Sequence, residues 1–177
     1  MKREWKMMKE QTEVKLAKWL TFIIILLTIL QAKLSFGATQ KETITRLFKH
    51  YNRKLTITQL NTMTDSVIVS GTKYKVSPLV IASIIVRESG ARPNVISKGG
   101  DYGLMQVRYK VHRDKVKSAK ALLNIETNID IGTRIFAGYY SRRKTLYGAL
   151  YRYSGGNRTL AQRVLRTLHK LQKGQYK

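Results

Sequence analysis

Of 177 residues, 34 are Lys or Arg, ten are Asp or Glu and none is cysteine, giving a net charge of +24 at pH 7. The missing cysteines exclude disulfides and thiolate metal sites; His50, His112 and His169 are scattered without paired spacing, so neither a metal nor a cofactor is expected. A surface this basic seeks polyanions.

Residues 1 to 18 carry six Lys or Arg and three Glu, and an uncharged, largely apolar run of twelve residues, Trp19 to Leu30, follows. A bilayer span takes about 20 residues, so the run fits the core of a secretory signal better than a membrane helix. Ser35-Phe36-Gly37 then offers a small-x-small cleavage site before Ala38. The competing reading is an uncleaved anchor with Lys33 at the interface. On either reading residues 1–37 are leader or anchor, and residues 38–177 form one exported domain large enough for a real core. Without the leader the net charge is about +20, because residues 1–37 hold seven basic and three acidic side chains.

Two helices are expected first, Lys41 to Tyr51 and Thr58 to Tyr74, the second aligning Leu60, Met63, Val67, Gly71 and Tyr74 at spacings of three and four. Next comes a mostly apolar stretch from Pro78 to Val86, opened by Ser77 as N-cap and Pro78 at the first helical position. Apolar on nearly all sides, it reads as a buried helix, and Glu88 falls in its last turn. There the negative end of the helix dipole and the apolar neighbours both favour the protonated carboxyl, which raises its pKa as a general acid requires. A solvated Glu, or one paired with Arg87 or Arg92, is the plainer alternative.

Pro93, Gly99 and Gly100 mark a loop. Three further helices are expected over Thr127 to Ser141, Leu146 to Tyr153 and Thr159 to Leu171, the last with Leu160, Val164, Leu168 and Leu171 on one face. Tyr139, Tyr140, Tyr147, Tyr151 and Tyr153 would suit a sugar cleft, but the spacing of Tyr140, Tyr147 and Tyr151 predicts a packing stripe.

Four ordered blocks carry a family resemblance: Glu88-Ser89-Gly90-Ala91-Arg92-Pro93 with Ser97, then Gly103-Leu104-Met105-Gln106, then Asn128 and Gly132, then Tyr153-Ser154-Gly155-Gly156. Over roughly residues 70 to 170 the chain resembles the soluble lytic transglycosylases, relatives of goose-type lysozyme. Two positions depart from that pattern: Ala91 stands where an aromatic is usual and Ser154 where Asn is common. The resemblance implies a mainly α, lysozyme-like domain, with a cleft past the end of the Glu88 helix and room for a short hairpin around Ile96 to Val107, as lysozyme-like folds often carry one.

It also implies that Glu88 is the catalytic acid and that Ser97, Met105, Gln106 and Tyr153 line the cleft as substrate-binding residues. Asn128 is the fifth candidate, with helix capping as its stronger competing role. Met105 can equally be core and Ser97 a loop brace, while Gly103 is expected to permit a tight turn. His112 is expected on the surface.

After residue 37 the acids are Glu42, Asp65, Glu88, Asp101, Asp114, Glu126 and Asp130, and only Glu88 has an apolar setting. Ordinary glycosidases need two flanking carboxylates. The resemblance implies a reaction that needs one: Glu88 protonates the bond between N-acetylmuramic acid and N-acetylglucosamine, then takes the proton of the sugar's 6-hydroxyl. Two alternatives stay open, a hydrolysing muramidase with Asp101 as second carboxylate and a non-enzymatic basic module binding wall polymer or nucleic acid. The expected partners are peptidoglycan glycan strands and anionic envelope polymers rather than nucleic acid. The Asp101-Tyr102 pair adds a hint of a secretion or conjugation apparatus.

Overall fold

The computed structural model describes the backbone of residues 2–176, with the side chains of Trp5, residues 15–16, 18–32 and 39–176. Ser35-Phe36-Gly37 and Lys33 lie outside the described side chains. Helix α1 runs Lys2–Tyr51, and the chain divides into two compact units, Met1–Thr39 and Gln40–Lys177. In the first, the run from Trp19 to Leu30 is exposed, with Trp19 and Phe22 edge to face at 6.4 Å. Among the described residues no helix is long and apolar enough to cross a membrane.

The second unit is mainly helical with one small hairpin. After the last turns of α1 come α2 (Ile57–Tyr74), α3 (Pro78–Glu88), β1 (Asp101–Tyr102), β2 (Val107–Arg108) and α4 (Tyr109–His112). Two 3-10 turns, Arg113–Lys115 and Lys120–Leu123, lead to α5 (Ile125–Arg143), α6 (Leu146–Tyr153) and α7 (Arg158–Gln172). The expected helices are all present; α1 begins at Lys2 rather than Lys41, and the other boundaries fall within two residues of the sequence reading.

Helix α2 starts one residue before Thr58 because Thr56 caps it: its hydroxyl accepts from Gln59 N at 3.1 Å and the Gln59 side chain accepts from Thr56 N at 3.1 Å. Ser77 does occupy the N-cap of α3, but its side chain makes no capping bond, and Pro78 starts the helix. Every residue from Val80 to Val86 is buried, so α3 is the central helix, packed between α2 and α7. Each large apolar side chain buried there stabilises the fold by roughly 2 kcal/mol. Ile44, Leu47 and Phe48 from the end of α1 join this core, as do Ile129 and Phe136 from α5.

The hairpin pairs Asp101 with Arg108 and Tyr102 with Val107, and Ile96 adds a bridge to Tyr102. Gly103 makes its turn with φ +72°, and a Cβ there would collide with the Asn128 side chain and the Leu122 carbonyl. The loop is thereby pinned directly onto α5.

Candidate active site

Glu88 ends α3 where the buried helix meets a cleft of about 410 Å³. The hairpin supplies Asp101, Gln106 and Arg108 to the cleft wall, and α6 with its following turn supplies Arg152, Tyr153 and Ser154. Helix α5 contributes Tyr139 and Ile135, while Val111 and His112 come from α4. The burial of α3 thus fixes the acid, and short segments on three sides frame it.

Burial pushes the Glu88 carboxyl from its usual 4.5 to about 7, and the charge of Asp101 pushes in the same direction. The sequence reading anticipated the rise and its cause in burial, and the structure adds Asp101 as a second cause. The neighbouring cations are engaged elsewhere. Arg87 donates from Nε to Thr167 Oγ1 at 2.6 Å and lies 5.3 Å from the Tyr51 ring centre, and Arg92 Nε donates to Ser89 O at 2.8 Å.

Asp101 has the opposite electrostatics. Arg108 grips it with Nε to Oδ1 at 2.7 Å and a terminal nitrogen to Oδ2 at 3.0 Å, and Ser97 Oγ donates to Oδ2 at 2.9 Å. The Arg108 hydrogen bonds hold its pKa below the ordinary carboxylate value against the effect of burial. Both oxygens are occupied, which leaves Asp101 poorly placed to serve as a base.

The five candidate binding residues separate. Gln106 and Tyr153 line the cleft with Glu88. Gln106 is partly committed, since its Nε2 donates to Gly103 O at 2.8 Å and Val95 O at 3.2 Å. Tyr153 donates its hydroxyl to Met105 O at 2.8 Å, and burial, then the charge of Glu88, raise its pKa well above the usual value. Ser97 is not a cleft-lining residue; besides its bond to Asp101 it accepts from Asp101 N at 3.0 Å, so it braces the hairpin.

Met105 is fully buried and belongs to the core, resting on α5 where a Cβ on Gly132 would lie 2.6 Å from its sulfur. Asn128 requires a correction, because the cap of α5 is Asn124, which accepts from Thr127 N at 2.9 Å. Asn128 is buried one turn later. Its Oδ1 accepts from Met105 N at 2.7 Å, and its Nδ2 donates to the carbonyls of Tyr102 and Leu122, each at 2.8 Å. It ties the hairpin to α5 and has no face toward the cleft.

Of the two departures from the family pattern, Ala91 is fully buried with φ +58°, its carbonyl held by Asn52 Nδ2 at 3.0 Å, whereas Ser154 lies on the cleft. The tyrosine stripe is also corrected. Tyr140, Tyr147 and Tyr151 are exposed, the last two stacked at 6.3 Å, while Tyr139 packs edge to face on Tyr153 at 6.5 Å. Tyr140 belongs to α5, where it stacks on Phe136 at 6.1 Å, and Tyr147 and Tyr151 belong to α6, so the spacing of seven crosses a helix break rather than marking one face.

His112 lies in the cleft rather than on open surface, and burial, then Lys115, lower its pKa. Sequence reasoning also missed Arg108, Arg152 and Val111 as wall residues. For Arg108 a signal existed, since it stands opposite the acid Asp101 across a hairpin the sequence allowed. Among the described residues, no group of three or more His, Asp or Glu converges as a metal site.

The family model of the Transglycosylase SLT domain matches residues 65–174. Over 73 residues, 36% of this chain and 36% of the relative, the sequence is 40% identical to an endo-type membrane-bound lytic murein transglycosylase A of Citrobacter koseri. It is 34% identical over 98 residues to a membrane-bound lytic murein transglycosylase E of Buchnera aphidicola, covering 49% of this chain and 44% of that one. A third relative, from Cronobacter sakazakii and named like the first, is 36% identical over 73 residues, again 36% of each chain. The chain thus matches between about a third and under half of the length of these curated relatives. Since the family match runs from within α2 to just past α7 and encloses Glu88, the hairpin and the whole cleft wall, the chain belongs to the Transglycosylase SLT domain family.

Proposed function

We propose that this protein is a peptidoglycan lytic transglycosylase with Glu88 as its single general acid and base. The observation that carries this reading is the contrast within one cleft between a buried carboxyl held protonated to about pH 7 and an Asp101 held ionised by Arg108. Glu88 donates its proton to the glycosidic oxygen as the bond from N-acetylmuramic acid to N-acetylglucosamine breaks. The 6-hydroxyl of the muramic residue then attacks the anomeric carbon and gives its proton to the Glu88 carboxylate. A 1,6-anhydro end forms, Glu88 is protonated again, and no water is consumed. General acid and base assistance of this kind is worth about 10²- to 10⁴-fold each.

The names of the relatives describe membrane-bound murein enzymes, which supports action at the cell envelope. We assign residues 1–37 to export or anchoring on the charge and apolar pattern of the sequence. Peptidoglycan glycan strands are the substrate. The basic surface suits anionic envelope polymers, and a secretion or conjugation apparatus is the proposed assembly partner.

A hydrolysing muramidase remains the second reading because Asp101 shares the cleft with Glu88. Mass spectrometry of fragments that the full chain releases from purified peptidoglycan separates the two. Ends in 1,6-anhydromuramic acid, lighter by one water, are expected. Reducing ends would establish hydrolysis, and no release from folded protein would favour the binding module.

A further inference from the structure

Among the described residues four other than glycine have positive φ, Lys75, Ala91, Gln106 and Lys144. Lys75 and Lys144 cap the C-termini of α2 and α5, where left-handed backbone is customary. Gln106 stands in the hairpin and Ala91 three residues after Glu88. Ala91 has φ +58° and follows Gly90 at φ +62°, so two left-handed residues stand in succession. Glycine adopts that conformation freely, whereas an alanine there is strained and persists only where its surroundings hold it.

The hold on Ala91 comes from the end of α1. Ala91 is fully buried, and its carbonyl accepts from Asn52 Nδ2 at 3.0 Å. The Asn52 amide is fixed at its other end, where Oδ1 accepts from Lys54 N at 3.1 Å, and Asn52 N donates to the carbonyl of the fully buried Phe48 at 2.8 Å. One residue earlier, the ring centre of Tyr51 lies 5.3 Å from the Arg87 guanidinium. The end of α1 thus holds the chain on both sides of Glu88, at Arg87 and at Ala91. Neither Tyr51 nor Asn52 belongs to the family match, which begins at residue 65.

We propose that Asn52 is a positioning residue for the reaction: by clamping the Ala91 carbonyl it keeps the strained turn after α3 closed and the Glu88 carboxyl in place. This rests on the transglycosylase reading and deepens it. Without the clamp a buried carbonyl loses its donor, and the turn relaxes toward unstrained angles. Glu88 then shifts relative to the glycosidic oxygen and loses part of the burial that keeps it protonated. A misplacement of about 1 Å can cost roughly 100-fold in rate.

The test compares full chains carrying Asn52→Ser and Thr56→Ala. The serine hydroxyl can still accept from Lys54 N but is too short to reach Ala91, so the local turn is kept and the clamp alone is lost. Thr56→Ala removes the cap of α2 and serves as the control for a general loss of stability in the same segment. Well below both melting transitions, Asn52→Ser should lower kcat for the release of 1,6-anhydro fragments about tenfold and keep KM within about twofold. It should also move the alkaline fall of kcat/KM to lower pH. The other charged and titratable groups of the cleft, Asp101 and Arg108 on the hairpin, His112 on α4, Tyr139 on α5, and Arg152 and Tyr153 on α6, are the same in every variant. Thr56→Ala should leave kcat, KM and the pH profile as they are. Adding Ala91→Gly to Asn52→Ser should restore part of kcat, because glycine takes the left-handed angle unaided.

Unchanged kcat and pH profile in Asn52→Ser, or equal changes in Thr56→Ala, would overturn the clamp while the transglycosylase reading stands. If the unsubstituted chain releases no fragments, that reading falls, and NMR titration of the Glu88 carboxyl still decides the clamp. A midpoint of about 7 that drops in Asn52→Ser supports it, and an unchanged midpoint overturns it.

Discussion

Glu88 and Asp101 line the same cleft with opposite proton affinities: burial and the Asp101 charge lift Glu88 to about 7, while Arg108 holds Asp101 below its ordinary value. The ionised partner thus helps keep the candidate acid protonated. Arg108 and Ser97 occupy the oxygens of Asp101 while it does so.

Replacing Glu88 by Gln should reduce the release of glycan fragments by at least about 100-fold, the lower bound for losing a general acid. The same substitution should stabilise the fold at pH 8. The folded protein keeps the Glu88 proton up to about pH 7, whereas the unfolded chain releases it near 4.5, so folding takes up a proton between those values. Stability therefore falls as pH rises through that window, by about 3 kcal/mol for a buried carboxyl shifted this far. Urea unfolding of both proteins at pH 4 and pH 8 checks this, with similar stability expected at pH 4 and the Gln protein more stable at pH 8.

Asp101→Asn should leave substantial activity and move its pH dependence. Removing the negative charge takes away one cause of the raised Glu88 pKa and leaves the Arg108 cation uncompensated, and both effects lower it. The alkaline fall in kcat/KM, expected near pH 7 in the wild type, should shift to lower pH. A loss at the pH optimum as large as that of Glu88→Gln would instead identify Asp101 as a second catalytic carboxylate.

Asn128→Ala should act through stability. The substitution strands Met105 N and the carbonyls of Tyr102 and Leu122 in a buried setting, at a cost of about 3 kcal/mol or more for three lost hydrogen bonds. Thermal melting should show the loss, and activity well below the new melting temperature should keep its KM. A raised KM with unchanged stability would return Asn128 to the list of binding residues.

Tyr153→Phe removes the donor to Met105 O and should cost about 1 kcal/mol of stability. With its hydroxyl already committed to that carbonyl, kcat/KM is expected to fall by less than about tenfold. A much larger fall at constant stability would show that the hydroxyl leaves Met105 to serve the substrate.

The helices, the buried nature of α3, the place of Glu88 and the rise of its pKa were legible in the sequence, because each follows from local periodicity, capping residues and the apolar run from Pro78 to Val86. The hairpin was legible only through the family resemblance, since no alternating strand pattern marks it in the sequence. Tertiary contacts alone decided which polar residues face the cleft. Asn128 and Met105 sit in motif positions, yet both are buried in the seam between α5 and the hairpin, because Gly103 and Gly132 let the two approach without side chains between. Tyr140, Tyr147 and Tyr151 are spaced by seven and four, but the break between α5 and α6 separates the first from the other two and all three are exposed, while Tyr139, one residue from Tyr140, reaches the cleft. His112, Arg108 and Arg152 come to Glu88 from three separate segments. Spacing along a chain fixes which residues share a face, but which face meets solvent, core or cleft depends on the helices packed against it.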